Sequence, residues 1–266
     1  MKLITPCAAD LGRPNVVIKH FADTESYVQI PHIESLKNKP ITLYHRLYPE
    51  PEKRLFELLL ILSKLEAKSC KLFTPYLPYA RQDRENKKGE AVSADVLCRL
   101  LKNAGVEKLI TYDCHFLPKS GRFKRAGLKI ENLSAGVELY KYAKKYFGSQ
   151  SFVVVSPDEG ASYFTKHAQD HSFQLKKIRK EHNHVHKIDG HADVKGKNVC
   201  ILDDIIDTGG TIRRAIDHLR KLGAKKIIVG ATHGIFSKGK IKEADFVFTT
   251  NSIENSHSVI WISGKY

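Results

Sequence analysis

The stretch Val199-Cys200-Ile201-Leu202-Asp203-Asp204-Ile205-Ile206-Asp207-Thr208-Gly209-Gly210-Thr211 decides how this chain reads. Val199 to Leu202 is an apolar run that makes a buried strand, expected to end at Asp203 and Asp204. A short turn carries Asp207, Thr208, Gly209, Gly210 and Thr211 into an amphipathic helix, Thr211 to Leu222, closed by Gly223. The carboxyl end of a strand is where an open α/β sheet binds ligands. Glycines there let backbone N–H groups close around a phosphate. The helix N-terminus adds partial positive charge, and Thr208 and Thr211 can donate hydroxyls. Asp203 and Asp204 are acceptors that suit vicinal sugar hydroxyls or a magnesium shell. Phosphate at the turn and hydroxyls at the acids together describe a ribose 5-phosphate. The lysine of a Walker A loop is absent. Taken alone, the turn also reads as a simple helix cap built on Asp207 or Thr208.

Outward from this stretch, strands alternate with helices. Ile41 to Tyr44 reads as a strand, Pro51 to Ala67 as a helix with Leu55, Leu58, Leu59, Leu62 and Leu65 at helical spacing, and Cys70 to Pro75 as a strand. Ser93 to Ala104 follows as a helix with Ser93 as N-cap and Gly105 as its stop, then Lys108 to Tyr112 as a strand. The second half repeats the rhythm: helix Ala135 to Phe147, strand Phe152 to Ser156, a strand at Ser172 to Leu175, and later strands at Lys226 to Gly230, Phe246 to Phe248 and Val259 to Ile262. Strands separated by helices argue for parallel sheets. Two such runs argue for two similar α/β domains, 1–133 and 134–266, joined near Lys129 to Ser134.

Composition narrows the class. Hydrophobic residues make up 42% and charged residues 27% of 266 residues, so the chain is not wholly disordered. The nearest approach to a membrane span, Leu55 to Leu62, is short and carries Glu57, and Met1 to Cys7 lacks the apolar stretch of a secretory signal. Five scattered cysteines (Cys7, Cys70, Cys98, Cys114 and Cys200) form no C-x-x-C pair, which suits a reduced, cytoplasmic protein without a zinc site. The net charge is +15, with 23 basic and 15 acidic residues before Ala135 and 21 and 14 from there on. An excess spread so evenly favours small anions over a nucleic acid, and no RNP-like aromatic cluster is present.

The stretch 199–211 resembles the phosphoribosyl-binding signature of type I phosphoribosyltransferases. Five further segments resemble the ribose-phosphate pyrophosphokinase (PRPP synthetase) family, in its order and with similar spacing. They are Phe21-Ala22-Asp23-Thr24-Glu25, Tyr79-Ala80-Arg81-Gln82-Asp83-Arg84, Thr111-Tyr112-Asp113-Cys114-His115, Val155-Ser156-Pro157-Asp158 and Ala231-Thr232-His233. The resemblance implies two phosphoribosyltransferase-like domains, each a mainly parallel sheet flanked by helices. It implies diphosphate transfer from magnesium-ATP to the anomeric hydroxyl of ribose 5-phosphate, giving phosphoribosyl diphosphate and AMP.

Site residues follow from the same resemblance. Arg81, Gln82, Asp83 and Arg84 are expected at ATP, where an arginine fork pairs with phosphate and stacks on adenine. Phe21, Asp23 and Glu25 resemble the segment that reaches the nucleotide across a subunit interface, which implies a homo-oligomer, expected as a dimer or tetramer. His115 resembles the magnesium-nucleotide ligand, with Asp113 beside it and Asp158 as a second magnesium-linked position. Asp203, Asp204, Asp207, Thr208, Gly209, Gly210 and Thr211 are expected at ribose 5-phosphate. Lys177 and Arg179, in Lys176-Lys177-Ile178-Arg179-Lys180, fall on the catalytic lysine and arginine, with Glu181 to Lys187 as a mobile flap. His182, His184 and His186 alternate within it, a spacing that could also bind a transition metal.

Two departures stand out. Lys124 and Leu128 replace acids that the family carries after the histidine, and the flap lacks its usual proline and one arginine. Two rivals therefore stay open: a catalytically silent regulatory homologue that binds nucleotide or sugar phosphate, and an ordinary phosphoribosyltransferase. The partners expected are ATP and ribose 5-phosphate, with no nucleic acid and no membrane.

Overall fold

Strands buried on both faces need apolar residues at successive positions rather than alternate ones, and both halves of the chain supply such runs. A computed structural model describes residues 1–157, 172–174, 176–181, 184–189 and 193–263. Met1–Leu133 and Ser134–Ile262 each form a compact unit.

The first unit contains β1 (Lys2–Ile4), β2 (Val17–His20), β3 (Ser26–Gln29), β4 (Pro40–Tyr44), α1 (Pro51–Leu62), β5 (Ser69–Phe73), α2 (Ser93–Asn103), β6 (Val106–Tyr112), β7 (Gly121–Arg125) and β8 (Leu128–Leu133). Its sheet runs β1-β4-β5-β6-β8-β7, parallel except for β7, which pairs antiparallel with β8. β2 and β3 form a separate antiparallel hairpin. Leu43, Leu72 and Leu109 of the sheet pack with Leu58 and Ile61 of α1 and Leu97 and Leu101 of α2. Each such side chain contributes about 1.5–3 kcal/mol on burial.

Several boundaries differ from the sequence reading. α1 ends at Leu62, and the chain leaves it through turn bonds from Lys64 N–H to the Ile61 carbonyl and from Leu65 N–H to that of Leu62. Ser93 does not cap α2: its hydroxyl donates to Gln82 Oε1 at 3.2 Å. Lys129 to Leu133 is no linker, because it belongs to β8. The Arg122 to Leu128 run is a hairpin, with Lys124 opposite Lys129 and Arg125 opposite Leu128. Leu128 is fully buried in the core.

The second unit contains α3 (Gly136–Phe147), β9 (Phe152–Ser156), β10 (Ser172–Gln174), β11 (Lys176–Glu181), β12 (His184–Asp189), β13 (Asn198–Ile206), α4 (Gly210–Lys221), β14 (Lys226–Gly234), β15 (Phe246–Thr250) and β16 (Ser258–Ile260). Its sheet runs β10-β9-β13-β14-β15-β16 and is parallel throughout. β11 and β12 pair as an antiparallel ribbon. Successive residues of the strands serve opposite faces. Val153, Val155, Val199, Ile201, Ile227 and Val229 pack with Ile212, Ala215, Ile216 and Leu219 of α4. Val154, Cys200, Leu202 and Ile228 pack with Leu139, Ala143 and Phe147 of α3. No helix among the described residues is long and apolar enough to cross a membrane.

Candidate functional site

Polar side chains are buried mainly where these strands end. In the second unit, Ser156 closes β9, Asp203 lies near the end of β13, Thr232 and His233 near that of β14, and Thr249 and Thr250 close β15, all nearly or fully buried. A buried polar group is costly unless hydrogen-bonded, and at these ends Thr250, Ser252 and His233 bond within one network.

β13 does not stop at the acids. It runs to Ile206, with Asp203 opposite Ala231, Ile205 opposite His233 and Ile206 opposite Gly234 of β14. Asp203 is buried and Asp204 half-buried. Asp203 Oδ1 accepts the Asp204 N–H at 3.0 Å, and Asp204 Oδ1 accepts the Ile205 N–H at 2.8 Å. The carboxylates are thereby held against their own strand.

The turn 207–209 leads into α4. Gly209 adopts φ +74°, and a Cβ there would lie 2.2 Å from Ile241 Cδ1. Only glycine meets both demands. Gly209 is also the N-cap of α4 and carries no side chain to cap it, and no acidic residue sits in the first turn. Amides at a helix mouth, together with its partial positive charge, can receive an anion. Thr208 Oγ1 accepts the Gly210 N–H at 3.4 Å, and Thr211 follows within the first turn. Asp207 Oδ1 accepts the Ser237 hydroxyl. The structure thus brings Asp203, Asp204 and the 207–211 turn together at one strand end.

The first unit has its own polar strand ends, with Thr5, His45, Thr74, Thr111 and Asp113 fully buried. Asp113 (φ +33°) follows β6 directly, its N–H donating to the Leu133 carbonyl at 2.8 Å, and His115 is exposed two residues on. Arg81, Gln82, Asp83 and Arg84 leave the sheet after β5. Arg81 and Arg84 are exposed. Gln82 serves α2, its carbonyl accepting the Ala94 N–H at 3.2 Å besides its bond with Ser93. The Asp83 carbonyl accepts from Arg125, and its carboxylate lies 3.6 Å from Arg84 Nε. The Tyr79 hydroxyl donates to Glu52, and this bond, then burial, pushes the phenol up to about 12. Phe21, Asp23 and Glu25 occupy the exposed tip of the β2–β3 hairpin, where Asp23 Oδ1 accepts the Glu25 N–H at 3.1 Å and Phe21 meets Tyr27 edge-on.

Lys177 and Arg179 lie on β11, opposite Ile188 and Val185 of β12. The segment expected as a flap is thus largely a two-stranded ribbon, with His184 and His186 on β12. Asp158 and His182 lie outside the described residues. Among the described residues, no three His, Cys, Asp or Glu side chains gather as a ready metal cage.

Three features escaped the sequence reading. One is the buried network joining Thr250 and Ser252, whose hydroxyls donate to the Thr232 carbonyl at 2.7 and 2.6 Å, with His233 Nδ1 2.8 Å from Ser252 Oγ. The others are Ser237, in the connection after β14, and Arg213, on α4, which bond to Asp207 and to the Thr208 carbonyl of the turn. A small polar run directly after an apolar strand (Thr232-His233, Thr249 to Ser252) is the signal that could have revealed the network.

Two mainly parallel sheets, the second with acids and a glycine-opened helix mouth at one strand end, define a protein of phosphoribosyltransferase type. The family model for the N-terminal domain of ribose phosphate pyrophosphokinase matches residues 7–105, and that for the phosphoribosyl transferase domain matches residues 130–263. A ribose-phosphate pyrophosphokinase of Mycoplasma genitalium is 34% identical over 260 residues, covering 92% of this chain and 77% of that protein. One from Thermococcus kodakarensis is 37% identical over 260 residues, covering 93% and 89%. The crystal structure of phosphoribosylpyrophosphate synthetase from Mycobacterium smegmatis superposes with a TM-score of 0.80 at 26% identity, covering 98% of this chain and 93% of the other. The chain belongs to the ribose-phosphate pyrophosphokinase family, a family of enzymes.

Proposed function

We propose that the chain transfers diphosphate from magnesium-ATP to the anomeric hydroxyl of ribose 5-phosphate. The anomeric oxygen attacks the β-phosphorus, the bond from that phosphorus to the α,β-bridging oxygen breaks, and AMP leaves. The observation that carries this reading is the Gly209 turn at the mouth of α4, at the end of the strand that carries the acid pair Asp203 and Asp204. Turn amides with Thr208, Gly209, Gly210 and Thr211 hold the 5-phosphate. Asp203, Asp204 and Asp207 accept hydrogen bonds from the ribose hydroxyls.

ATP is assigned to the first unit (1–133) and sugar phosphate to the second (134–266). Arg81 and Arg84 are exposed cations for the triphosphate and adenine, with Gln82 and Asp83 shaping their loop. The exposed Phe21, Asp23 and Glu25 tip suits contact with the nucleotide of a neighbouring copy, so a homo-oligomer is part of the proposal. The buried carboxylate of Asp113 beside the exposed imidazole of His115 is a donor set compatible with a hydrated divalent cation. Asp113 and His115, with Asp158, would hold magnesium, which neutralises phosphate charge when bound. Lys177 and Arg179 stabilise the charge that spreads over the transferred group, since such a transfer needs alignment and neutralisation more than a strong base. Reaction in the cytoplasm accords with five free cysteines.

AMP release from ATP, measured with and without ribose 5-phosphate, tests the reading. Release that depends on the sugar phosphate supports it. Binding of both ligands without AMP release points to the silent homologue, and consumption of phosphoribosyl diphosphate with a base points to the transferase.

A further inference from the structure

An anion cradle must show a phosphate its N–H groups and hide its carbonyls, because a carbonyl oxygen aimed at an anion repels it. In the turn after β13, the carbonyls of Ile206, Thr208 and Gly209 are each engaged by an N–H group. The Gly209 carbonyl accepts the Arg213 N–H at 2.8 Å, as the first helical bond. The other two are held by groups outside the turn.

The Ile206 carbonyl accepts two N–H groups from the connection after β14, that of Ile235 at 2.8 Å and that of Phe236 at 3.2 Å. The Thr208 carbonyl accepts Arg213 Nη1 at 2.6 Å. The same guanidinium donates through Nη2 to the Lys240 carbonyl at 3.1 Å, and its Nε lies 3.2 Å from Glu243 Oε1. One planar fork thus joins the turn to the connection between β14 and β15. From that connection Ser237 donates its hydroxyl to Asp207 Oδ1, and Ile241 fills the space beside Gly209.

We propose that Arg213 and Ser237 are positioning residues for sugar-phosphate binding: they lock the 207–210 turn so that its N–H groups face the phosphate while the Ile206 and Thr208 carbonyls stay engaged elsewhere. The inference rests on the reading of this turn as the ribose 5-phosphate site. Neither residue needs to touch the ligand. Arg213 acts through the shape of its fork, since three acceptors in one plane match a guanidinium and not an ammonium. Lysine at 213 therefore keeps the charge and loses the brace. Ser237 acts through one hydroxyl, which threonine can also supply.

The test is calorimetric titration of the full-length protein with ribose 5-phosphate and, separately, with ATP, together with steady-state kinetics. Arg213→Lys and Ser237→Ala are each expected to weaken ribose 5-phosphate binding about tenfold, a loss of ~1.4 kcal/mol. KM for the sugar phosphate rises to match, while kcat and ATP affinity stay near wild type. Ser237→Thr is expected to restore binding. A residue important only for folding would lower the active fraction and the thermal midpoint without this KM shift. If Arg213→Lys misfolds by circular dichroism, the Ser237 pair decides. Wild-type affinity in Ser237→Ala together with folded Arg213→Lys overturns the inference alone. A wild-type protein that does not bind ribose 5-phosphate overturns the reading of the site, and this inference with it.

Discussion

Glu57, fully buried on α1, lies 3.1 Å through Oε1 from Nε2 of His20, the last residue of β2. Its other oxygen accepts Arg54 Nη1 at 2.8 Å. The β2–β3 hairpin lies outside the main sheet, so this bond is a direct polar tie between the hairpin and the body of the first unit. One residue beyond His20 begins the tip that carries Phe21, Asp23 and Glu25. A buried carboxylate stripped of a partner is expensive, and so are partners stripped of it. Glu57→Ala is expected to cost about 3 kcal/mol, read as a lower midpoint in urea unfolding. His20→Ala costs about 1 kcal/mol, the value of one hydrogen bond, and speeds amide exchange in the hairpin. An unchanged midpoint in Glu57→Ala contradicts the tie.

Gly209→Ala tests the turn. Alanine at φ +74° costs about 1–2 kcal/mol, and its methyl group meets Ile241. The expected outcome is loss of ribose 5-phosphate binding with ATP binding still measurable by calorimetry. Equal loss of both ligands contradicts the assignment of one to each unit.

Lys177→Ala tests the chemistry. Removal of one preorganised cationic or hydrogen-bonding contact to developing charge commonly costs 10²–10³ in rate, or ~2.7–4 kcal/mol. Turnover is expected to fall by at least that factor while ribose 5-phosphate affinity holds. Unchanged turnover removes Lys177 from the mechanism.

Cys7 provides a pH-dependent readout. His45 Nε2 donates to the Arg54 carbonyl at 2.7 Å, and Nδ1 of the same ring lies 3.5 Å from Cys7 Sγ. Burial pushes the Cys7 thiol up, but bonds with His45 and Thr5 and the charge of His45 outweigh it and bring the thiol down to about 7. Burial pushes Cys70 up to about 12 and Cys98 to about 11, and Cys200 also rises. Cys7 is therefore expected to react first with iodoacetamide, with its rate midpoint near pH 7, moving toward the ordinary thiol value near 8.5 in His45→Asn. The folded value lies below the unfolded one. The thiolate's contribution to stability is therefore full above about pH 8.5 and is lost as pH falls through 7. Mass spectrometry that finds Cys70 or Cys200 labelled first contradicts this.

The fold was legible where packing is simple. Phe152 to Ser156 reads as a strand because Val153 and Val155 serve one face and Val154 the other. The β7–β8 hairpin was missed because its charged residues obscure the alternation that puts Leu128 and Ile130 inward. β13 was cut short at Asp203 because aspartate disfavours strands, yet pairing with Ala231 and His233 carries the ladder on to Ile206. At the site, the turn itself was legible from Asp207 to Thr211. Its supports were not, because Ser237 and Lys240 meet Asp207 and Arg213 across 30 and 27 residues of sequence. Such contacts depend on how two connections fold back on each other, which no local pattern encodes.

The most direct measurement is a crystal of the protein soaked with ribose 5-phosphate. The expected result is phosphate density against the amides of Gly209, Gly210 and Thr211, with the ribose hydroxyls toward Asp203 and Asp204. Density for the sugar phosphate elsewhere, with that turn closed by its own side chains, contradicts the account.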